Sequence, residues 1–277
     1  MEQAIRAAVS YAAAHGVRST DPAVLKNGSN VLVHLRPSPV VARAAGTTGL
    51  VRTPVADWFG RELSVVDHLL ARDVPVVAPS AELPRGPVVH EGVTLSFWTF
   101  TPHDPSVSIK SADFAASLAD LHQALADYSD PLPATGPLDD VVFGLPFLGE
   151  HAELLRAEHE RLAALLPRGG RALHGDAHPG NVLATPHGLV WNDFEDTWRG
   201  PLEWDLALMR RTKLLDGEAA LAAYPGSHDP ELLDLCGEIR WLQTQIWLQA
   251  SVRRLPARQA EADAELARWL AAHTDDL

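Results

Sequence analysis

The chain has 277 residues, 46% of them hydrophobic, enough for a sizeable core in one large domain or two lobes. Its single cysteine, Cys236, excludes a disulfide framework and any multi-cysteine zinc or iron–sulfur site. The net charge of −13 argues against a nucleic-acid binder, which needs a basic face.

The opening MEQAIRAAVSYAAAHG carries Glu2 and Arg6 inside an alanine-rich stretch. It reads as a helix and not as a signal peptide, with Ile5, Ala8, Val9 and Ala12 at helical spacing. No run reaches the ~18–20 apolar residues of a membrane span. The expectation is a cytoplasmic protein without a membrane or nucleic-acid partner, monomeric or dimeric. LKNGSNVLVHLRPSPVVARAAG reads as loop, strand, turn, strand, with strands over about 31–36 and 39–44. DWFGRELSVVDHLLARD is an amphipathic helix, VPVVAP a short buried strand, and GPVVHEGVTLSFWTF a hairpin turning at Glu91-Gly92.

After TPHDP the pattern becomes helical. SADFAASLADLHQAL and GEHAELLRAEHERLAALL are helices, and DPLPATGPLDD between them reads as a flexible connector. DPELLDLCGEIRWLQTQIWLQASVRRL is a long helix with Asp229 as N-cap and Pro230 in the first turn. ARQAEADAELARWLAAH is the last helix. The layout predicts an α+β, bilobal chain. Residues 1–100 form a small lobe built on an antiparallel sheet, and residues 101–277 a larger, mainly helical lobe.

Charge follows the same division. Residues 1–100 hold nine Lys+Arg against eight Asp+Glu, whereas residues 101–277 hold 14 against 28. This suits either an acidic soluble surface or an acidic cleft that concentrates a cationic ligand.

The chemistry-bearing residues crowd into LHGDAHPGNVLATPHGLVWNDFEDTWRGPLEWDLA, residues 173–207. His174 and His178 flanking Asp176 suit a zinc or two-metal hydrolase. Gly and Pro make HGDAHPG a turn, however, and no second His-rich cluster follows. Phosphoryl transfer uses more of the residues. It needs a carboxylate near the attacking hydroxyl, oxygen ligands for Mg²⁺, and donors on the phosphates. Asp176 lies in a loop, Asn181 starts the strand NVLA, and a TPHG turn leads to the strand LVWND. This hairpin can bring Asp193 beside Asn181 with Asp176 close by.

HGDAHPGN followed by NDFEDTWRGPLEWDLA resembles the aminoglycoside phosphotransferase and choline kinase-like family, whose fold is similar to that of protein kinases. The resemblance implies ATP and Mg²⁺ as cofactors and a hydroxyl group on a small molecule as acceptor, and the uneven charge favours a cationic acceptor. It implies Asp176 as the catalytic aspartate, Asn181 and Asp193 as the metal ligands, His174 as a brace of the catalytic loop and Asp205 as its anchor. It also places the phosphate-covering loop at NGSN, with Ser29, and a phosphate contact at Arg43, where Lys is usual. Glu62 would pair with Arg43; otherwise it is a solvated helix residue. Trp98, Thr99 and Phe100 fall at the adenine-binding hinge. The Arg43 departure leaves room for a non-catalytic kinase-like binding protein. Glu195, Asp196, Trp198 and Glu203 are candidate substrate contacts, with Asp216, Glu218, Asp234 and Glu238 on later helices. Trp241 and Trp247 read as core positions of a long helix. A composition with only three lysines suggests a high-GC genome and an antibiotic acceptor such as an aminoglycoside or a tuberactinomycin peptide (capreomycin, viomycin). A housekeeping kinase of an amine, sugar or amino-alcohol is the alternative.

Overall fold

The computed structural model describes residues 1–273. Helix α1 (Glu2–Ala14) precedes strands β1 (Asp21–Asn27), β2 (Asn30–Arg36) and β3 (Val40–Ala45). A short α2 (Thr48–Val51) and α3 (Ala56–Leu70) follow, then β4 (Val88–His90) and β5 (Val93–Thr99). The five strands make one antiparallel sheet in the order β1-β2-β3-β5-β4. The β4–β5 hairpin turns at Glu91 and Gly92, both at positive φ (48° and 75°), as a two-residue hairpin with right-handed strand twist requires.

Strand β1 departs from the loop expected there. Most of its residues are exposed, so it carries no alternating apolar signal; it is an edge strand held by main-chain pairing to β2. VPVVAP forms no strand. It makes two isolated bridges, Val76 to Trp191 and Pro79 to Trp98, and so ties the lobes together.

Period-2 alternation decides which sheet residues reach the cleft. Val31, Val33, Leu35, Val40, Ala42, Ala44, Leu95 and Phe97 face α1 and pack on Ala4, Ala7, Ala8 and Ala12. Arg43 pairs with Leu32 and Ser96 across the ladder, on the opposite face. Helix α3 lies against that face and carries Phe59, Glu62, Leu63, Val66 and Leu69 on its buried side.

The larger lobe contains α4 (Ser111–Leu125), α5 (Asp139–Gly144), α6 (Ala152–Leu165), α7 (Glu203–Arg211), α8 (Gly217–Ala223), α9 (Pro230–Val252) and α10 (Gln259–His273). Two small ribbons complete it: β6 (Arg171–Leu173) with β9 (Trp198–Gly200), and β7 (Val182–Thr185) with β8 (Gly188–Trp191). One hydrophobic cluster runs from Val41, Leu63 and Trp98 of the small lobe to Trp204, Leu242, Ile246 and Trp269 of the large one. Asp229 caps α9 as expected, accepting from the amides of Glu231 and Leu232 (2.9 and 3.3 Å). DPLPATGPLDD is not a free connector. Gly136, Pro137 and Leu138 form a buried 3₁₀ turn, and Asp140 is buried against Arg52. Among the described residues no helix is long and apolar enough to cross a membrane.

Candidate active site

A cleft of about 570 Å³ lies between the sheet, the β7–β8 ribbon and α9. Asp176, Asn181 and Asp193 all line it, with Ser29, Arg43, Glu62, Trp98, Thr99, Phe100, Glu195 and Asp196.

The loop that carries Asp176 is held from behind. Asp205, at the start of α7, is fully buried and accepts from the amides of His174 and Gly175 (both 2.9 Å) and from His122 Nε2 (2.9 Å). His174 accepts the Asp176 amide at Nδ1 (3.2 Å) and donates from Nε2 to the Asn192 carbonyl (3.1 Å). Burial lowers the His174 pKa, which suits this neutral tautomer. Both its nitrogens are thereby used, so it is not a metal ligand. His178 Nδ1 accepts the Gly180 amide (3.0 Å), and among the described residues no group of three His, Cys, Asp or Glu could hold a metal by itself. Gly175 (φ 86°) passes so close to the Asp196 carbonyl that a Cβ would lie 1.9 Å from it. Only glycine fits there.

Asn181 is in a 3₁₀ turn just before β7, one residue outside the expected strand. Its Nδ2 donates to the Asp176 carbonyl and Oδ2 (2.9 and 3.1 Å). Among the described residues its Oδ1 has no hydrogen-bond partner and stays available as a hard oxygen donor. Strand β8 stops at Trp191, so Asp193 falls beyond the strand that was expected to end on it. Asp193 adopts the left-handed conformation (φ 71°), which Asp tolerates better than most residues. One of its oxygens takes Arg43; among the described residues the other has no hydrogen-bond partner. Two oxygen donors from the protein, completed by phosphate oxygens and water, fit the preferences of Mg²⁺.

Arg43 is 4% exposed and donates to Glu62 (2.6 Å) and Asp193 (2.5 Å), with Glu195 at 2.8 Å. Burial works against its charge, but these carboxylates more than offset that and raise its pKa. Glu62 is no solvated helix residue. It sits on the apolar side of α3, and its second oxygen accepts the Phe194 amide (3.0 Å). Burial, with Asp193 adding repulsion, pushes Glu62 up to about 7.

Behind Arg43 lies a group that the sequence reading missed. Arg52 is 1% exposed and makes a two-pronged pair with Asp140 (2.8 and 2.7 Å), a further bond to Asp196 and a contact with Glu195 (3.4 Å). Asn30 also donates to Glu195 (3.3 Å). Burial pushes Glu195 up to about 8 and Asp196 to about 6, against the pull of the arginines.

Arg240 of α9 was also missed. It donates from Nη2 to Asp176 Oδ1 (2.5 Å) and from Nη1 to Gln243 (2.8 Å), whose Nε2 reaches Asp140 (3.0 Å). Burial alone would raise the Asp176 pKa, but His178 and Arg240 hold it well below the usual carboxylate range. A continuous polar chain therefore runs from Asp176 through Arg240, Gln243, Asp140 and Arg52 to Glu195, Arg43 and Asp193. Neither Arg52 nor Arg240 stands in a motif. The signal available for Arg240 was helical spacing with Gln243 and Trp247.

Several expected contacts are elsewhere. Trp198 is 1% exposed and packs edge-on against Trp204, so it is a core residue and not a substrate contact. Glu203 is buried and accepts the Asp229 amide (2.9 Å), which joins the starts of α7 and α9. Glu195 and Asp196 line the cleft but are bound to arginines. Asp216 caps α8, and Asp234 pairs with Arg210 (2.6 Å); neither borders the cleft, nor do Glu218 and Glu238. Trp241 is packed as expected, donating to Glu265 (2.9 Å), but Trp247 faces the cleft. At the hinge, the amides of Thr99 and Phe100 are already used by the Ala78 and Pro39 carbonyls (2.9 and 2.7 Å). Lys26, on the exposed edge strand, also reaches the cleft mouth.

A two-lobed chain with a carboxylate, an amide oxygen and a second carboxylate converging on one cleft has the architecture of a kinase-like phosphotransferase. Residues 4–227 match the family described as the phosphotransferase enzyme family, and the chain belongs to it. It is a small-molecule phosphotransferase. Among solved structures, the amicoumacin kinase hAmiN in complex with AMP-PNP, Ca²⁺ and Ami is similar with TM-score 0.66 and 14% identity, over 92% of this chain and 88% of that one. APH(2")-IIia, solved with GDP and kanamycin, gives 0.65 and 16%, over 96% and 98%. The choline kinase LicA from Streptococcus pneumoniae gives 0.62 and 16%, over 95% and 99%. No curated protein matches.

Proposed function

We propose that the chain transfers the γ-phosphoryl group of ATP to a hydroxyl group of a small molecule, with residues 1–100 gripping the nucleotide and residues 101–277 supplying catalysis and the acceptor site. The observation that carries this is the convergence of Asp176, Asn181 and Asp193 on one cleft, with Asp205 holding the loop of Asp176, Asn181 bonded to Asp176, and Arg43 bonded to Asp193. The acceptor oxygen bonds to the γ-phosphorus as the bond to the β–γ bridging oxygen breaks, and nucleoside diphosphate leaves. Asp176 orients the hydroxyl and takes its proton. Its low basicity beside Arg240 suits a late transfer from a loose transition state. Asn181 Oδ1 and the free oxygen of Asp193 would hold Mg²⁺, which supplies charge neutralisation on the phosphates. Arg43 and Lys26 are the cations nearest those phosphates on the sheet side. The Ser29 turn would cover them, with Trp98, Thr99 and Phe100 against the base.

An antibiotic acceptor, an aminoglycoside or a tuberactinomycin peptide, with resistance as its consequence, is a second reading. The neighbours solved with kanamycin and with Ami favour it. The choline kinase neighbour favours an amino-alcohol instead.

The test is thermal shift with Mg²⁺-ATP, then nucleoside diphosphate release against a panel of hydroxyl compounds. Stabilisation by Mg²⁺-ATP that disappears in Asp193→Ala is the expected outcome. A protein that neither binds Mg²⁺-ATP nor releases diphosphate is not a kinase of this kind.

A further inference from the structure

Four lysines and arginines line the cleft, and three of them, Arg43, Arg240 and Arg258, are bound to carboxylates. The fourth is Lys26, whose side chain makes no hydrogen bond or ion pair among the described residues. It reaches the cleft through an irregularity in the edge strand. β1 pairs with β2 as Val24 to Val33, but the register then shifts by one residue and Lys26 pairs with Leu32. Continued from Val24, the ladder would set Lys26 opposite Val31, whose side chain packs toward α1. Residues directly opposite in an antiparallel pair share a face, and a one-residue slip turns a side chain to the other. The bulge therefore turns Lys26 to the cleft face, in one row with Leu32, Arg43 and Ser96.

The side chain lies along the turn that would cover the phosphates. A Cβ on Gly28 would stand 3.5 Å from Lys26 Cε and 3.9 Å from its Cγ, so the lysine stem runs across the bare face of Gly28, next to Ser29. Asp193 feels its charge: burial would raise that carboxylate, and Arg43 first, then Lys26, lowers it. Arg43 is placed differently. It is 4% exposed, with Nη1 on Glu62 (2.6 Å) and Nη2 on Asp193 (2.5 Å) and Glu195 (2.8 Å). A phosphate that sought Arg43 would compete with three carboxylates, and these outnumber it, so the wall around Arg43 offers no surplus positive charge. Lysine is a compact point charge on a flexible stem, with three donors to turn toward a phosphate. The two cations approach the cleft from strands about 10 Å apart, two ladder spacings.

We propose that the cation which meets the nucleotide phosphates is Lys26 of β1, and that Arg43 of β3 serves instead to hold Asp193 and Glu62 in place. The proposal rests on the phosphotransferase reading and narrows it. The resemblance places the phosphate contact at residue 43; the bulge in β1 supplies it from two strands away. The turn that covers the phosphates then carries its own cation, and Arg in place of Lys on β3 leaves no gap in the phosphate site.

The experiment uses the whole chain. Its only lysines are Lys26, Lys110 and Lys213, so an ATP acyl phosphate, with the acyl group on the γ-phosphate, reports which amine lies at the phosphates. The amine attacks the acyl carbon, an amide forms, ATP leaves, and the amine's proton goes to solvent. Peptide mass spectrometry should find the acyl group on Lys26, and excess Mg²⁺-ATP should block it. In titration calorimetry Lys26→Gln should bind Mg²⁺–AMP-PNP at least about tenfold more weakly, the worth of one charge-assisted contact, and adenosine within about twofold of wild type. Lys26→Arg should recover part of the loss, Lys213→Gln should show none, and Arg43→Lys should cost less than Lys26→Gln. Several outcomes overturn the proposal: label only at Lys110, Lys213 or the N-terminal amine, label at Lys26 that Mg²⁺-ATP does not block, or no label at all. So does an unchanged Mg²⁺–AMP-PNP affinity in Lys26→Gln, an equal loss for adenosine, or a larger loss in a folded Arg43→Lys; Lys26 is then an edge-strand lysine that only keeps other strands away. Failure of Mg²⁺–AMP-PNP to stabilise the wild-type chain in thermal shift is a different result, which removes the phosphotransferase reading underneath.

Discussion

At the scale of single residues, the site is a set of carboxylates whose properties are set by which arginine each one meets. Asp176 is predicted to be essential for turnover and dispensable for nucleotide binding. Asp176→Asn should lower kcat at least ~100-fold, the usual worth of a positioned proton acceptor, while the Mg²⁺-ATP affinity stays within about threefold. A variant retaining more than about a tenth of wild-type kcat removes Asp176 from that role. Arg240 tunes the same carboxylate from 2.5 Å. Replacing it with Gln should move the acid limb of the kcat–pH profile to higher pH, and Lys should restore part of the shift. An acid limb that stays where it was in Arg240→Gln means that the ion pair has no bearing on the chemistry. Both residues are half-hidden: Asp176 stands in a recognisable motif, but nothing local in the sequence says that a guanidinium 64 residues later would be its partner.

At the scale of elements, α9 organises the molecule. It supplies Arg240 to the catalytic loop and Gln243 to the turn before α5, and beyond its end Arg254 donates to the Gly28 carbonyl (2.8 Å) and Asn27 (2.9 Å) at the tip of the β1–β2 hairpin. The Arg52–Asp140 pair fixes α2 and α5 in the same network, with both side chains 1% exposed. Removing Arg52 strands Asp140, whereas Arg52 without Asp140 keeps Asp196 and Glu195. Arg52→Met should therefore cost about 3–5 kcal/mol in urea unfolding, and replacing both partners with apolar residues of similar volume should cost less. A single variant as stable as wild type would falsify the keystone role. The stretch around Asp140 read as a connector because its Pro, Gly and Asp residues are those of a turn. They form a turn, but it is buried, and burial depends on what packs over it.

At the scale of the whole molecule, carboxylates outnumber the arginines they share, and stability should record this. Glu62, Glu195 and Asp196 have folded pKa values raised by burial to about 7, 8 and 6. Each binds its proton more tightly folded than unfolded, so each contributes stability below its unfolded pKa that is lost as pH rises through the folded value. Asp176 and Asp193 are shifted down, and their contribution is lost only in acid. Between pH 5 and 8 the raised group dominates. The Tm of the nucleotide-free chain should fall across that window by at least about 3 °C, the size of a roughly 1 kcal/mol loss in a chain of this length. Glu195→Gln should flatten the slope. A Tm that is level or rising from pH 5 to 8 would show that these groups are ionised throughout.

The sequence alone determined the two-lobed class, the helices with clear caps and apolar periodicity, and the grouping of Asp176, Asn181 and Asp193. Those features are local: a cap, a hydrophobic period or a motif lies within a few tens of residues, and its physics acts at that range. The tertiary structure decided the rest. It made a strand of residues 21–27, because an exposed edge strand is specified by its neighbour's main chain. It sent Trp198 and Glu203 into the interior and brought Trp247 to the cleft, because which face of an element is buried depends on what covers it. It also gave each cleft carboxylate an arginine from far along the chain. The pairing of buried charges is a property of three-dimensional proximity, and the excess of acidic residues in the composition could not say which of them would share an arginine.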